Sequence, residues 1–122
     1  MIKVLIVDDE PNIIMSLEFL IKKIGYEVYI ARDGSEAMTI VESEKPEIVI
    51  LDIMMPFVDG YEVCEYIKRK NRRTKVIFLS AKDKEADIQK GYDAGADLYI
   101  TKPFSTKHLV NKVKELAIEL IE

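Results

Sequence analysis

Long apolar runs are missing from this 122-residue chain. The longest falls far short of the ~20 residues a membrane span requires, so no membrane association is expected. Cysteine occurs once, as Cys64, which rules out an internal disulfide and fits a reducing compartment. Histidine also occurs once, as His108, leaving no partner for a metal pair or a nucleophilic triad, and a surface position is expected for it. Basic charge is not in excess: 18 Lys and Arg stand against 22 Asp and Glu, a formal net charge of -4. Phosphate backbones are held mainly by Lys and Arg, so direct nucleic-acid binding is not expected. Glycine and proline are sparse, at 5 and 4, and no linker-like or low-complexity tract interrupts the chain. What is present is 48% apolar and 33% charged residues, enough for one cored domain over 1–122 and unlike a disordered chain. Met1-Ile2-Lys3-Val4 leads straight into an apolar run without a signal peptide's cleavage pattern, so a cytoplasmic location is expected.

Five short apolar runs punctuate the sequence: Val4–Val7, Val28–Ala31, Ile48–Leu51, Val76–Leu79 and Leu98–Ile100. Three of them are unbroken rather than alternating, the mark of strands buried on both faces. Helical spacing fills the intervals. Ile13, Leu17, Leu20 and Ile24 predict a first helix that stops at Gly25, and Ala37, Ile40 and Val41 a second. Val63, Cys64 and Ile67 predict a third, with Cys64 as plain core. Leu109, Val113, Leu116 and Leu120 predict the last. The stretch from Lys84 to Ala94 is helical by position but weakly apolar, and loose packing is expected there. Strand and helix in regular alternation specify a three-layer α/β domain around a doubly wound parallel sheet, with right-handed crossovers.

Polar chemistry gathers where the runs end. Asp8 and Asp9 follow the first, Asp52 the third, Ser80 the fourth and Thr101-Lys102-Pro103 the fifth, while Ala31-Arg32-Asp33-Gly34 predicts a turn. In a parallel sheet these positions share the carboxyl edge, where open α/β sheets place ligands at the switch point in strand order. An order of 2-1-3-4-5 brings Asp8, Asp9 and Asp52 together, flanked by Ser80 and Lys102. Two unit charges ~4 Å apart cost about 1 kcal/mol in water and about 4 kcal/mol at an effective dielectric of 20. Such a cluster calls for protonation, a cation or both, and hard carboxylate oxygens suit Mg²⁺. With Lys102 the site is then formally neutral and ready for an anion. A carboxylate can attack phosphorus to give an acyl phosphate, and phosphoryl transfer asks chiefly for positioning and charge neutralisation. Asp52, alone at the end of a central strand, is the candidate nucleophile. Asp8 and Asp9 are left to hold the metal, with Ser80 and Lys102 to meet phosphoryl oxygens.

The pieces Val7-Asp8-Asp9-Glu10, Leu51-Asp52-Ile53-Met54-Met55-Pro56, Asp59-Gly60, Leu79-Ser80-Ala81-Lys82, Gly95-Ala96-Asp97 and Tyr99-Ile100-Thr101-Lys102-Pro103-Phe104 stand in order along the chain. Together they give it a resemblance to the response-regulator receiver domain, CheY-like with flavodoxin-like (βα)5 topology, over essentially its whole length. The resemblance implies a phosphoprotein signalling domain rather than an enzyme acting on other molecules. Asp52 would accept a phosphoryl group from a partner histidine kinase. Asp9, Asp52 and the Met54 carbonyl would ligate Mg²⁺, with Asp8 acting largely through water. Ser80 and Tyr99 would form the switch pair, and Lys102-Pro103 the cis peptide. A downstream protein or an appended output domain would read the fourth helix, fifth strand and fifth helix. That surface also dimerises in one subgroup through crossed ion pairs. Lys90, Asp97 and Lys112 fit them, while Leu98 and His108 replace acidic residues common there. A free-standing regulator and a fragment of a longer one both fit a chain that stops at Glu122.

Other classes fit less well. A flavodoxin's phosphate cradle needs hydroxyl and glycine donors after the first strand, where this chain has Asp8-Asp9-Glu10-Pro11-Asn12. A Mg²⁺-dependent hydrolase with an aspartyl nucleophile usually has its second Asp two residues on and a cap domain, and here the acids are adjacent. A receiver-fold module that no longer accepts phosphate would not need every one of these residue types. The basic stretch Lys68 to Lys75 carries six cations in eight positions and is expected to be a solvated loop, with its charges complementing a helix end. Met54 and Met55 are expected to pack, apart from the Met54 carbonyl.

Overall fold

Strand and helix alternate without exception in the computed structural model, which describes residues 1–121. The strands are β1 (Lys3–Val7), β2 (Glu27–Ala31), β3 (Ile48–Leu51), β4 (Lys75–Ser80) and β5 (Leu98–Thr101). The helices are α1 (Pro11–Lys23), α2 (Gly34–Glu44), α3 (Gly60–Lys70), α4 (Glu85–Asp93) and α5 (Thr106–Ile121). All four strand pairings are parallel, in the order β2-β1-β3-β4-β5. The chain therefore winds first one way and then the other from β1, and the crevice between β1 and β3 is the switch point.

Successive side chains on a strand face opposite ways, so the unbroken runs feed two cores. Leu5, Val7, Val49, Leu51, Val76 and Phe78 meet α2 and α3 on one face. Val4, Ile6, Ile48, Ile50, Ile77 and Leu79 meet α1 and α5 on the other. Each such side chain fully buried stabilises the fold by about 1.5–3 kcal/mol. Asp33 and Asp59 begin α2 and α3 as N-caps, accepting from the amides of Glu36 and Glu62 at 2.8 and 3.0 Å. The Asp33 turn is thus also a helix start, and the Asp-x-x-Glu spacing at both places is its sequence signal.

Three local expectations need correction. The buried line of α1 is Ile14, Leu17 and Ile21, while Ile13 and Leu20 flank it and Ile24 lies at the C-cap. The apolar face is wide enough to contain two helical stripes, and spacing alone does not choose between them. Ser80 and Thr101 are the last residues of their strands and pair with each other, because the ladder uses backbone groups and is indifferent to a polar side chain. Met54 is exposed, although Met55 packs against the core. Among the described residues no helix is long and apolar enough to cross a membrane.

Candidate functional site

Backbone hydrogen bonds carry the sheet's register into the loops at its carboxyl edge. The Asp52 amide donates to the Val7 carbonyl at 3.0 Å, and the Asp8 amide to the Ala31 carbonyl at 3.1 Å. The residues that follow β1 and β3 are thereby held side by side. One carboxylate oxygen from each of Asp8, Asp9 and Asp52 lies within 4.8 Å of the others. Asp8 and Asp52 are buried, and Asp9 is exposed at the rim. The start of α3 presses on this edge from above. Gly60 donates to the Ile53 carbonyl at 2.9 Å, and a Cβ at Gly60 would collide with the Asp52 carbonyl oxygen. Only a residue without a side chain lets the helix approach so closely.

Lys102 reaches into the cluster from the end of β5. Its Nζ lies 2.9 Å from Glu10 Oε1, 3.2 Å from Asp8 Oδ2 and 3.8 Å from Asp52 Oδ2. Burial pushes the Asp52 carboxyl above its ordinary value, opposed by the Lys102 charge, assisted by the Asp8 charge and opposed again by the amides of Ile53 and Met54. The Ile53 amide donates to Asp52 Oδ1 at 2.7 Å and fixes the rotation of the carboxylate. For Lys102 burial works to lower the ammonium pKa, but the hydrogen bond to Glu10 and the charges of Asp52 and Asp8 outweigh it and leave the group above its ordinary value. The Glu10 contact is the shortest that Lys102 makes, and the sequence patterns assign Glu10 no role. Its signal was in view as the third acid of Asp8-Asp9-Glu10.

Ser80 is fully buried, and its hydroxyl accepts from the Lys82 amide at 3.2 Å. Tyr99 is buried as well. Its ring packs against Phe78 with centroids 5.8 Å apart, and its hydroxyl donates to the Lys82 carbonyl at 2.7 Å. Burial pushes this phenol up to about 12, so it stays a donor. Lys82 thus touches both Ser80 and Tyr99 through its main chain. The Lys102-Pro103 peptide is cis.

The remaining expected residues lie away from this edge. Cys64 is buried, with its thiol pushed up to about 12 by burial, and His108 is exposed near the start of α5. In the basic stretch Lys68 pairs with Asp97 at 2.8 Å, Lys70 with Glu42 at 3.0 Å, and Lys75 with both Asp97 and Glu119. Arg73 donates to the Leu120 carbonyl at 2.7 Å, capping the end of α5. Most of these cations are therefore used within the chain. The residues suited to crossed ion pairs are also engaged: Asp97 as above, Lys90 over the Tyr61 ring at 4.4 Å, and Lys112 with Glu115 at 3.3 Å.

The family model described as the response regulator receiver domain matches residues 4–114. The chain belongs to that family. It is similar to the BeF3-activated receiver domain of DrrB, at 34% identity over 96% of this chain and 97% of that one, with a TM-score of 0.89. A CheY-like receiver domain protein from Methanospirillum hungatei JF-1 is 31% identical over 98% of this chain and 96% of its own, with a TM-score of 0.93. DrrB itself, a Thermotoga maritima OmpR/PhoB homolog, is 34% identical with a TM-score of 0.88, and this receiver domain spans 54% of it. Phosphorylation by a histidine kinase is the general role of receiver domains, and they are often joined to output domains.

Receiver domains are generally Mg²⁺-dependent, and the donors present fit that ion. Three carboxylates converge at one rim, two of them buried, with the single cation Lys102 drawn toward Glu10. A hard divalent cation with retained waters would offset the repulsion that Lys102 alone leaves.

Proposed function

We propose that Asp52 is the phosphoacceptor of a two-component response regulator, working in the cytoplasm with a histidine kinase as donor. The observation that carries this reading is the convergence of Asp8, Asp9 and Asp52 from two loops, with Lys102 inserted among them. An oxygen of Asp52 forms a bond to phosphorus as the donor's P–N bond breaks, and the departing imidazole takes a proton from water. The product is an acyl phosphate. Its hydrolysis reverses the state: water attacks phosphorus, the bond to Asp52 breaks, and inorganic phosphate leaves. The domain catalyses only these reactions on itself.

Asp8, Asp9, Asp52 and the Met54 carbonyl would hold Mg²⁺, Asp8 largely through water. Bound there, the ion supplies charge neutralisation and polarises phosphoryl oxygens. The chain's own residues do the rest. The Ile53 amide keeps the Asp52 carboxylate oriented, Lys102 swings to the transferred group, and Ser80 offers its hydroxyl to a phosphoryl oxygen. The acyl phosphate carries ~-2 charge near neutral pH, against -1 for the carboxylate. That extra charge draws Ser80 and Lys102 inward, and the space the hydroxyl leaves would admit the Tyr99 ring, already buried and bonded to the Lys82 carbonyl, further inward.

Phosphorylation in this reading biases an existing equilibrium. The readout surface is α4, β5 and α5, because Tyr99 lies under α4 and Lys102 ends β5. A downstream protein or an appended output domain reads that surface, and the domain itself does not bind nucleic acid. A homodimer on the same face would have to break the intrachain contacts of Lys90, Asp97 and Lys112 first.

The test is incubation with Mg²⁺ and acetyl phosphate, followed by intact-mass measurement. One acid-stable, alkali-labile phosphoryl group is expected on the wild type and none on Asp52→Asn. Steady phosphate release without a lasting adduct would favour a hydrolase instead, and no adduct at all an inert module.

A further inference from the structure

Lys102 has a partner outside the acidic cluster, and that partner is its nearest. Glu10 Oε1 lies 2.9 Å from Nζ, against 3.2 Å for Asp8 and 3.8 Å for Asp52. Glu10 occupies the N-cap of α1, a position where Ser, Thr, Asp or Asn would normally turn a side-chain oxygen onto the helix amides. Its carboxylate makes no such cap. Pro11 follows it and has no amide to satisfy, which lessens the need for one. The side chain instead crosses to a residue 92 positions away in sequence. Its amide donates to Asp8 Oδ1 at 3.0 Å, so the main chain of Glu10 is tied to the cluster while its carboxylate stands at the open rim.

Resting on Asp52 as the phosphoacceptor, we propose that Glu10 is a positioning residue that holds Lys102 in reserve. In the unphosphorylated protein it competes for the ammonium that the transferred phosphoryl group will need. While it holds Glu10 at 2.9 Å, Nζ stands 3.8 Å from Asp52 Oδ2, so a closer approach to a group on Asp52 would be made at the expense of the rim contact. The contact is of the right strength for a latch, because Lys102 is largely buried but the Glu10 carboxylate stands in water, and a pair open to solvent on one side is weak and readily given up. A phosphoryl group, with ~-2 charge, outcompetes a single carboxylate for the same cation. Glu10 also lines a groove of about 630 Å³ with Ile13, Lys102, Pro103 and Phe104, so the latch sits where anything entering that groove would touch it.

The consequence is asymmetric. Releasing Lys102 is part of forming the acyl phosphate, but once it is formed Lys102 has already left Glu10. Variants at this position should change phosphorylation and leave hydrolysis alone. Glu10→Gln removes the charge. Glu10→Asp keeps the charge, but its shorter side chain falls back onto the helix cap and no longer reaches Lys102. Both are exposed-site changes that leave the core untouched.

The experiment measures the rate of phosphoryl uptake from acetyl phosphate and, separately, the rate of adduct loss after the donor is removed, for wild type and both variants in Mg²⁺. The expected result is uptake faster by roughly two- to fivefold in both variants, the range an exposed ion pair supports, with adduct loss unchanged. In the unphosphorylated protein the ε-carbon resonance of Lys102 should shift alike in both. Glu10→Asp behaving as wild type while Glu10→Gln is faster would overturn the proposal in favour of simple charge repulsion of the donor. Equal changes in uptake and loss, or no change in either variant, would overturn it as well. A wild type that takes up no phosphoryl group sinks the phosphoacceptor reading itself and the latch with it, an outcome distinct from normal uptake that is indifferent to Glu10.

Discussion

Asp52 is held in a state it does not favour. Burial raises its proton affinity and Asp8 adds to the effect, while Lys102 and two amides only partly offset them. Between the ordinary carboxylate value and the raised one, the folded protein keeps a proton that the unfolded chain has lost. Stability must therefore fall as pH rises through that window. Asp52→Asn removes this dependence. Without Mg²⁺ the variant should match wild type well below pH ~4 and become more stable on the order of 1 kcal/mol by neutral pH. Urea denaturation across that range checks it, and a difference that shrinks as pH rises would contradict the assignment of burial as the cause. The acids, Ser80 and Lys102 were legible in the sequence because each stands at the end of an apolar run, and parallel strands place their ends on one edge. Glu10 was visible as a third acid beside Asp8 and Asp9, but not its role, because only the fold brings Lys102, 92 positions away, within reach of it.

At the scale of elements, α4 is as thinly buried as its sequence predicts, and what seats it is not an apolar stripe. Its apolar content is thin, and loose packing was the natural expectation. Its one buried residue is Gly91, where a Cβ would stand 2.8 Å from Tyr99 Cδ2 and 3.1 Å from Phe78 Cδ2. The helix is seated by close approach of backbone to ring, which a hydrophobicity pattern does not register. It is also held by the Tyr61 hydroxyl donating to the Asp87 carbonyl at 3.1 Å and the Tyr99 amide donating to the Tyr92 hydroxyl at 3.1 Å. Gly91 lies directly against the Tyr99 ring, and that contact would be the physical link between the proposed readout surface and the site. Gly91→Ala should cost about 1–3 kcal/mol through overpacking and displace the Tyr99 ring. Thermal unfolding and the ring's NMR shifts measure the two effects. A variant as stable as wild type, with Tyr99 unmoved, would show that α4 is not seated on this ring. Elsewhere periodicity sufficed for element type, since five short apolar runs between helical stripes admit few arrangements, but it did not choose between adjacent stripes on α1 or place Ser80 and Thr101 inside their strands.

For the whole molecule, the acidic edge is a local instability that a ligand can relieve. An ion that binds the folded state and not the unfolded chain raises stability by RT ln(1 + [L]/Kd), about 2.7 kcal/mol at a hundredfold excess over Kd. Added Mg²⁺ should raise the unfolding midpoint of the wild type progressively, EDTA should reverse it, and Asp9→Asn should blunt the response. A midpoint indifferent to Mg²⁺ would remove the metal from the account. The doubly wound topology was legible because alternating strands and helices with right-handed crossovers leave few arrangements open, and the pairing of β1 with β3 decides that loops 44 positions apart, after Val7 and Leu51, adjoin. Everything functional depends on what that adjacency does at Asp52. The most direct measurement is borohydride reduction of protein treated with Mg²⁺ and acetyl phosphate, followed by peptide mass mapping, since reduction converts an acyl phosphate to a primary alcohol. The account predicts homoserine at position 52 and at no other acidic residue. Reduction at Asp8, Asp9 or Glu10, or at none of them, would contradict it.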